Sequence, residues 1–319
     1  MYDLIIVGGG VSAFAAALFA GRRGLTTLVI AKDIGGQANF TDLIENYPGV
    51  KSIGGYELVS KIRKQAEEYE VEVLSAEVGS LKSANKAFVL TAYGKQYKTQ
   101  TVVLAFGKTP RDLSVPGEEE FKGRGVSYCA NCDAPLFKNK AVTVAGVGDL
   151  NLEACLLSAR FAKKVYVLSK TDKLTGHPAL LKAVKTKQNI ELIPFVQILE
   201  IQGREKLEAL RLQDLKTGKE KELKTDGLFV ELGYVVKSQF LTGLLQLDKE
   251  GQIVVNQDQS TSVAGIFAAG DCTNRPYKQA VISAGEGAAA GMAAYDWLMR
   301  KQGGRGLTSD WTEIKRVKS

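Results

Sequence analysis

Two cysteines separated by two residues are the part of the sequence best suited to covalent chemistry. Cys129 and Cys132 stand in the stretch Cys-Ala-Asn-Cys-Asp, with Asp133 directly after the second thiol. Two intervening residues bring the sulfurs within bonding distance when the second cysteine begins a helix, and the helix dipole then lowers a thiol pKa. Asp133 is placed to exchange a proton with the leaving thiolate. The pattern predicts a redox-active disulfide; half of a zinc site and an inert pair are the alternatives.

The other two cysteines and the single histidine restrict the kinds of site that the chain can form. The 319 residues contain four cysteines and one histidine, His177. These are too few ligands for several zinc sites and exclude any mechanism that needs two histidines, so we expect no metal. Cys155, inside an apolar helical stretch, and Cys272, directly after Asp271, are expected to pack rather than react. Cysteine used in this way is typical of a reducing, cytoplasmic compartment.

Charge and hydropathy do not support a nucleic-acid-binding protein or a secreted one. The net charge of +7 is spread along the chain and does not predict nucleic-acid binding. The apolar run from Leu4 to Ala20 has the length of a signal peptide, but it lacks a basic region in front and contains the triplet Gly8-Gly9-Gly10. We therefore interpret it as a buried strand that enters a helix, and we expect neither secretion nor a membrane span.

The N-terminal segment has the pattern of a nucleotide-binding βαβ unit. A strand over residues 2–7 leads into the glycines, a helix is predicted over 12–20, and a second strand over 26–30. The motif Gly8-x-Gly10-x-x-Ala13 provides a tight turn, close approach of a phosphate and close packing of helix on strand. A dinucleotide pyrophosphate is expected at the start of this helix.

The same plan recurs, with equal spacing, in the middle of the chain. A strand over 141–145 precedes Gly146-Val147-Gly148, and a helix over 150–162 and a strand over 165–168 follow. The predicted fold class is α/β, with two Rossmann-like, three-layer ββα nucleotide-binding domains. Turn-rich crossings near Pro110 to Gly117 and near Gly233 to Gly243 predict that the second domain is inserted into the first. The expected bounds are 1–112 with 245–319 for the first domain and 113–244 for the second.

Together these motifs resemble the low-molecular-weight thioredoxin reductases, a family of FAD-dependent pyridine nucleotide-disulfide oxidoreductases, along nearly the whole chain. The resemblance rests on six stretches, which are Gly8-Gly9-Gly10 with Ala13, Gly35-Gly36-Gln37, Glu45 to Gly49, Cys129 to Asp133, Ala268 to Asp271, and Gln279-Ala280.

This resemblance implies a division of labour between the two domains. FAD would lie on the outer segments, and the inserted domain would carry the disulfide and a pyridine-nucleotide site. Cys132 would face the flavin, Cys129 would attack a disulfide of thioredoxin or a thioredoxin-like protein, and Asp133 would act as acid and base. A homodimer is expected from the family. The residues expected to hold FAD are Gly8, Gly10, Ala13, Gly36, Gln37, Asn46, Gly270, Asp271, Gln279 and Ala280.

The second glycine motif departs from the family pattern. Gly146 and Gly148 remain, but Asn151 replaces the third small residue. The stretch from Ser169 to Thr175 contains no arginine, and Lys170 is the nearest candidate for a contact with the 2′-phosphate of NADPH. The electron donor is therefore left open between NADPH or NADH and a donor such as ferredoxin or a reduced deazaflavin. A redox-sensing flavoprotein with a regulatory cysteine pair and no efficient turnover is the alternative function.

The C-terminal tail, residues 303–319, extends past the last predicted helix and contains Trp311. We expect Trp311 to stack on the flavin face that nicotinamide would otherwise occupy, within the subunit or across a dimer.

Overall fold

The computed structural model describes residues 1–40, 44–84 and 87–304. The α-helices of this part are α1 (Val11–Arg22), α2 (Gly55–Glu67), α3 (Glu118–Phe121), α4 (Ala130–Asp133), α5 (Gly148–Ser158), α6 (Pro178–Lys185) and α7 (Ala280–Lys301). Single 3₁₀ turns lie at Gly36–Phe40, Ala134–Phe137, Gln239–Leu241 and Gly270–Cys272. Among the helices of the described ranges, none is long and apolar enough to cross a membrane.

The structure contains strands before and between these helices. They are β1 (Tyr2–Val7), β2 (Thr27–Ala31), β3 (Glu72–Ser75), β4 (Val78–Ala84), β5 (Ala87–Ala92), β6 (Lys95–Leu104), β7 (Thr109–Pro110), β8 (Val126–Ser127), β9 (Ala141–Gly146), β10 (Lys164–Leu168), β11 (Ile190–Ile193), β12 (Val196–Gly203), β13 (Leu207–Asp214), β14 (Glu220–Lys224), β15 (Gly227–Glu231), β16 (Tyr234–Val235) and β17 (Ile266–Ala268). Strands β3 to β7 and β11 to β16 follow one another in uninterrupted succession.

The chain divides into two compact units, and the second interrupts the first. The first unit comprises residues 1–109 and the chain from 236 onward, and the second comprises 110–235. The return to the first unit falls at 235/236 rather than at the expected 244/245 because Val236 and Leu241 are buried in the core of the first unit. Where the chain leaves and re-enters, the backbone N–H of Arg111 donates to the carbonyl of Gly233 over 2.8 Å, so the two crossings run side by side.

The first unit is built on one sheet of order β3-β2-β1-β6-β5-β4, with β17 also paired to β6. Strands β1, β2, β3, β6 and β17 pair in parallel, whereas β4, β5 and the first half of β6 form an antiparallel meander. Alternate residues of β1 face opposite sides. Leu4 and Ile6 lie in the core under α1, α2 and α7, and Ile5 and Val7 lie in the core on the meander side.

The second unit repeats this plan on a smaller scale. Its parallel sheet has the order β11-β10-β9-β15-β8, and a separate antiparallel sheet has the order β12-β13-β14. Val142 and Val144 pack with α5 and α6 on one face, while Leu228 and Val230 pack with β12 and β13 on the other. The predicted α/β class with two Rossmann-like units is confirmed. Helix α5 begins at Gly148 and ends at Ser158, earlier at both ends than the sequence predicts.

Candidate functional site

The glycine turn of the first unit has the geometry of a phosphate site. Gly8 has φ +127°, and a Cβ there would lie 2.2 Å from the carbonyl oxygen of Ala105. Gly10 caps α1 without a side-chain hydrogen bond, and the nearest atom to a Cβ there is the Gly35 oxygen at 3.9 Å. Ala13 is fully buried in the helix. Because no side chain caps the start of α1, its first backbone N–H groups are left as donors for a phosphate.

A second group of predicted residues meets at the C-terminal side of this sheet. The side-chain amide of Gln37 donates to Asp271 Oδ2 over 3.1 Å, although 234 positions separate the two residues. Ser283, on the first turn of α7, donates to Asp271 Oδ1 at 3.5 Å. The backbone N–H of Gly36, φ +55°, donates to Asp33 Oδ1. Asp271 therefore connects the loop after β2 to the turn after β17.

A third pair joins the same two parts of the chain. Asn46 Nδ2 donates to Gln279 Oε1 over 3.0 Å. Gln279 is the N-cap residue of α7, and Ala280 is the first residue of that helix. The predicted residues Asn46, Gln279 and Ala280 are thus brought together with the group around Asp271, which lies on the turn just before α7.

Gly270 fixes the turn between β17 and α7. Its φ is +78°, and a Cβ there would lie 2.6 Å from Ser12 Oγ, so only glycine allows the turn to reach the start of α1. Its N–H donates to Glu286 Oε2 over 2.8 Å. Burial raises the pKa of Glu286, while the Gly270 N–H and Lys278 oppose this shift.

These observations test whether FAD fits the first unit. A Cβ at Gly10 would meet nothing nearer than the Gly35 oxygen at 3.9 Å, so the start of α1 is open, and the side chains of Gln37, Asn46 and Asp271 supply donors and acceptors on the same unit. A pyrophosphate on α1 and ribityl hydroxyls at Asp271 match this donor set. The residues fit FAD.

Cys272 is next to this group but takes no part in it. The thiol is fully buried and donates weakly to the carbonyls of Leu104 and Ala269, and burial raises its pKa to about 12. Cys155 is also fully buried, and its pKa is raised to about 12. Both thiols are inert packing residues, as the sequence predicts.

In the second unit, Cys129 and Cys132 form a disulfide with Cα atoms 5.4 Å apart. Cys129 is the N-cap of α4, and its Sγ accepts the backbone N–H of Cys132 at 3.2 Å. The backbone N–H of Cys129 donates to Ser127 Oγ over 3.1 Å, which fixes the approach from β8. Cys129 is buried and Cys132 is partly exposed.

This geometry corrects one expectation from the sequence. The helix begins at Ala130, so the first cysteine caps it and the second is its third residue. The helix is also only four residues long and passes into a 3₁₀ turn at Ala134. Its dipole is weaker than that of a full helix, so a thiolate formed at Cys129 on reduction would depend mainly on the Cys132 N–H. Asp133 directly follows the disulfide and donates its N–H to the Cys129 carbonyl.

The second glycine turn repeats the close backbone approach of the first, but its positive φ lies at the second glycine of the motif instead of the first. A Cβ at Gly146 would lie 2.2 Å from the Glu231 oxygen, and Gly148 has φ +68°. The predicted contact Lys170 is exposed. Asn151 is 1% exposed, and its Oδ1 has no hydrogen-bond partner within the described residues.

The loop after β10 lies against the start of α5. The N–H of His177 donates to Asp149 Oδ1 over 2.6 Å. A Cβ at Gly176 would lie 2.7 Å from the same oxygen and 3.4 Å from the Gly148 carbonyl carbon. Val147 and Leu150 expose 65% and 42% of their surface beside this turn. The start of α5 therefore presents a carboxylate and apolar side chains.

Two carboxylates that bond the residues on either side of Cys129 lie outside the sequence motifs. Glu118 is 4% exposed and accepts hydrogen bonds from the N–H groups of Leu113 and Ser114 and from the Tyr128 hydroxyl. Glu231, at the end of β15, accepts the N–H of Ala130, and burial raises its pKa to about 7. In the sequence, Glu118 is marked only by the turn-rich crossing in which it lies, and Glu231 only by its place at the end of β15.

Two further expectations from the sequence concern Trp311 and a metal site. Trp311 lies outside the described residues. Within the described ranges, no group of three or more His, Cys, Asp or Glu side chains is arranged to hold a metal ion.

Comparison with known proteins finds a matching family model and similar proteins. A family model described as pyridine nucleotide-disulphide oxidoreductase matches residues 2–287. A Bacillus subtilis protein named NADH dehydrogenase is 36% identical over 300 residues, which cover 94% of this chain and 59% of that protein. The chain thus spans about three fifths of the length of that relative.

Two solved structures share the fold. Thioredoxin reductase from Lactococcus lactis matches with a TM-score of 0.78 and 31% identity, over 94% of this chain and 100% of that one. A ferredoxin-flavin thioredoxin reductase from Clostridium acetobutylicum matches with a TM-score of 0.53 and 29% identity, over 94% and 98%.

Proposed function

Because the chain belongs to the pyridine nucleotide-disulphide oxidoreductase family, we propose that it is an FAD-dependent reductase that passes electrons through Cys129 and Cys132 to thioredoxin or a thioredoxin-like protein. The observation that carries the proposal is the Cys129–Cys132 disulfide at the cap of α4. The full-length likeness to a solved thioredoxin reductase supports it.

FAD is the cofactor of this family, and the first unit fits it. The N–H groups at the start of α1 would bind the pyrophosphate, with Gly8, Gly10 and Ala13 allowing its approach. Gln37, Asn46, Asp271 and Gln279, with the backbone of Gly36, Gly270 and Ala280, would hold the rest of the cofactor. When bound, FAD supplies two-electron transfer between a donor and the cysteine pair.

The cysteine pair divides its tasks as the family resemblance implies. Cys132 would receive electrons from the flavin side, and Cys129 would attack the partner disulfide. The Cys132 N–H, which reaches Cys129 Sγ at 3.2 Å, would stabilise a thiolate there after reduction. Asp133 would hold and return the proton that the leaving thiolate needs.

A donor other than a pyridine nucleotide fits the second unit best. The Asp149 carboxylate, held by His177, lies at the start of α5, and a bound pyrophosphate would be repelled there. Val147 and Leu150 add exposed apolar surface to the turn. The segment 169–177 offers lysines but no arginine fork for a 2′-phosphate. The likeness to a ferredoxin-flavin thioredoxin reductase supports ferredoxin as the donor.

The proposal also covers the oligomeric state and the compartment of the protein. The protein would work as a homodimer in a reducing, cytoplasmic compartment, and its net charge of +7 would favour encounter with an acidic ferredoxin. The relative named NADH dehydrogenase keeps NADH among the donors that need testing.

An anaerobic titration of the oxidised holoprotein tests the proposal. NADPH, NADH and reduced ferredoxin are added separately, with oxidised thioredoxin present, while flavin absorbance and new thioredoxin thiols are measured. Reduced ferredoxin should bleach the flavin and generate thiols, whereas both nucleotides should act far more slowly. Rapid reduction by a nucleotide would contradict the proposed donor. Flavin reduction without repeated thiol production would favour the redox-sensing alternative.

A further inference from the structure

The backbone of Glu231 is fixed at the point where the second glycine turn begins. Its strand, β15, pairs in parallel with β9, and Glu231 lies opposite Gly146. The N–H of Val147 donates to the Glu231 carbonyl over 3.2 Å. Because Gly146 has no side chain, the two backbones approach closely, and the position of Glu231 is determined by the sheet.

The side chain of Glu231 reaches the turn that carries the disulfide. Its carboxylate accepts the N–H of Ala130, the residue that directly follows Cys129. The Sγ of Cys129 accepts the N–H of Cys132 in the same turn. A carboxylate and a sulfur therefore each accept one N–H group of α4, from Ala130 and from Cys132.

The neighbouring ionisable groups make a negative charge at Glu231 less favourable. Glu153 of α5 is a second carboxylate and adds to the effect of burial in raising the pKa of Glu231. On the same helix, Cys155 has a pKa raised first by burial and then by the charge of Glu231. Tyr234, just after β15, has a pKa raised by the same two causes. A further negative charge in this turn would repel the carboxylate.

We propose that Glu231 is a positioning residue for the dithiol and takes up a proton when the Cys129–Cys132 disulfide is reduced. The inference rests on the proposed function, because it takes this disulfide as the working one. Reduction breaks the S–S bond with two electrons from a reductant, which is a dithiol in the experiment below. One proton converts one sulfur to a thiol, a second proton binds the Glu231 carboxylate, and the other sulfur remains a thiolate.

The carboxyl and the thiolate then titrate as a coupled pair. When Glu231 holds its proton, it adds no negative charge beside the thiolate, and the thiolate keeps the Cys132 N–H donor of α4. When Glu231 is ionised, thiolate and carboxylate repel each other and the thiolate is disfavoured. Glutamine at this position keeps the shape and removes the charge, so it should stabilise the thiolate at every pH above the carboxyl pKa.

Thiol alkylation across pH tests the coupling. The FAD-loaded protein is reduced anaerobically with dithiothreitol, freed of reductant and labelled with iodoacetamide from about pH 5 to about pH 9, with labelling of Cys129 and Cys132 measured by peptide mapping. In Glu231→Gln the midpoint of the more reactive thiol should fall by about one pH unit relative to wild type. Glu231→Asp should keep a carboxyl and stay near wild type, and Glu220→Gln, on β14 of the same unit, should not move the midpoint.

An unchanged midpoint in a folded Glu231→Gln variant would overturn the inference. If that variant does not fold, the infrared difference spectrum of wild type on reduction decides, since uptake of the proton must produce a new carboxylic-acid carbonyl band. Absence of this band would equally overturn it. Neither measurement contains thioredoxin or a physiological donor. A negative result here therefore does not affect the proposed function. If the protein fails to reduce thioredoxin, the effect of Glu231 on the thiol pKa can still be measured.

Discussion

The side-chain amide of Gln37 donates a hydrogen bond to Asp271 across 234 residues of chain, with 3.1 Å between Nε2 and Oδ2. The bond joins the loop after β2 to the turn before α7. It orients the carboxylate that we propose as the ribityl ligand of FAD, and it brings segments from opposite ends of the sequence together at the proposed cofactor site.

Asp271→Ala should weaken FAD binding. The change removes the charged acceptor for Gln37 and for the proposed ribityl hydroxyl, and loss of a hydrogen bond to a charged group corresponds to about a ten- to hundredfold rise in Kd. Reconstitution of the apoprotein with FAD, followed by fluorescence, measures this. Glu57→Ala, on the exposed face of α2, is the control and should bind FAD as wild type does. A wild-type Kd in Asp271→Ala would contradict the assigned site.

Gly287→Ala should destabilise the first unit. A Cβ at Gly287 would lie 2.1 Å from the carbonyl oxygen of Ser12, where α7 crosses α1, so the helices must separate. Overpacking of this kind costs about 1–3 kcal/mol. Denaturant unfolding measures the change. Gly285→Ala, on the same helix with nothing within 4 Å of the added Cβ, is the matched control and should be neutral or stabilising. Equal stability of the two variants would refute the close crossing.

Tyr128→Phe should destabilise the second unit. The Tyr128 hydroxyl donates to Glu118 Oε1 over 2.6 Å, and Glu118 is 4% exposed. Removing a hydrogen bond to a buried charged group should lower the free energy of unfolding by about 1.5–3 kcal/mol. Tyr166→Phe, on β10, is the control, since the Tyr166 hydroxyl makes no hydrogen bond within the described residues. A stability loss no larger than that of the control would exclude the role of this network.

The stability of the second unit should depend on the charge of Glu231. Burial raises its carboxyl pKa from 4.5 to about 7, so the folded protein holds this proton more tightly than the unfolded chain. The free energy of unfolding should therefore fall as pH rises through this window, by about 1–2 kcal/mol after allowance for partial exposure. Unfolding midpoints at several pH values should show a smaller slope in Glu231→Gln than in wild type or Glu220→Gln. Identical slopes would contradict the assigned pKa.

Local sequence patterns were sufficient to predict the two nucleotide folds. A buried strand, a glycine turn and an apolar helix follow each other within about 30 residues, so β1 is found at Tyr2–Val7 as predicted. The cysteine pair was predictable for the same reason, since two intervening residues bring the sulfurs together where a helix begins.

Features that depend on distant partners could not be predicted in this way. Glu118 and Glu231 are charged residues, which sequence rules place at the surface. Their burial is compensated by hydrogen bonds from the Tyr128 hydroxyl and the Ala130 N–H, which form only in the folded chain. The antiparallel sheet β12 to β14 carries many charged residues on its exposed face, so no motif indicates it. The start of α4 at Ala130 depends on capping by a sulfur, for which sequence rules give no preference.

The most direct test of the account is thioredoxin reduction by the holoprotein with both Cys129 and Cys132 replaced by serine. With reduced ferredoxin as donor, wild type and Cys155→Ser should generate thioredoxin thiols over many turnovers. The double variant should bind FAD, keep its visible spectrum and produce no thiols. Thioredoxin reduction at the wild-type rate by the double variant would contradict the account.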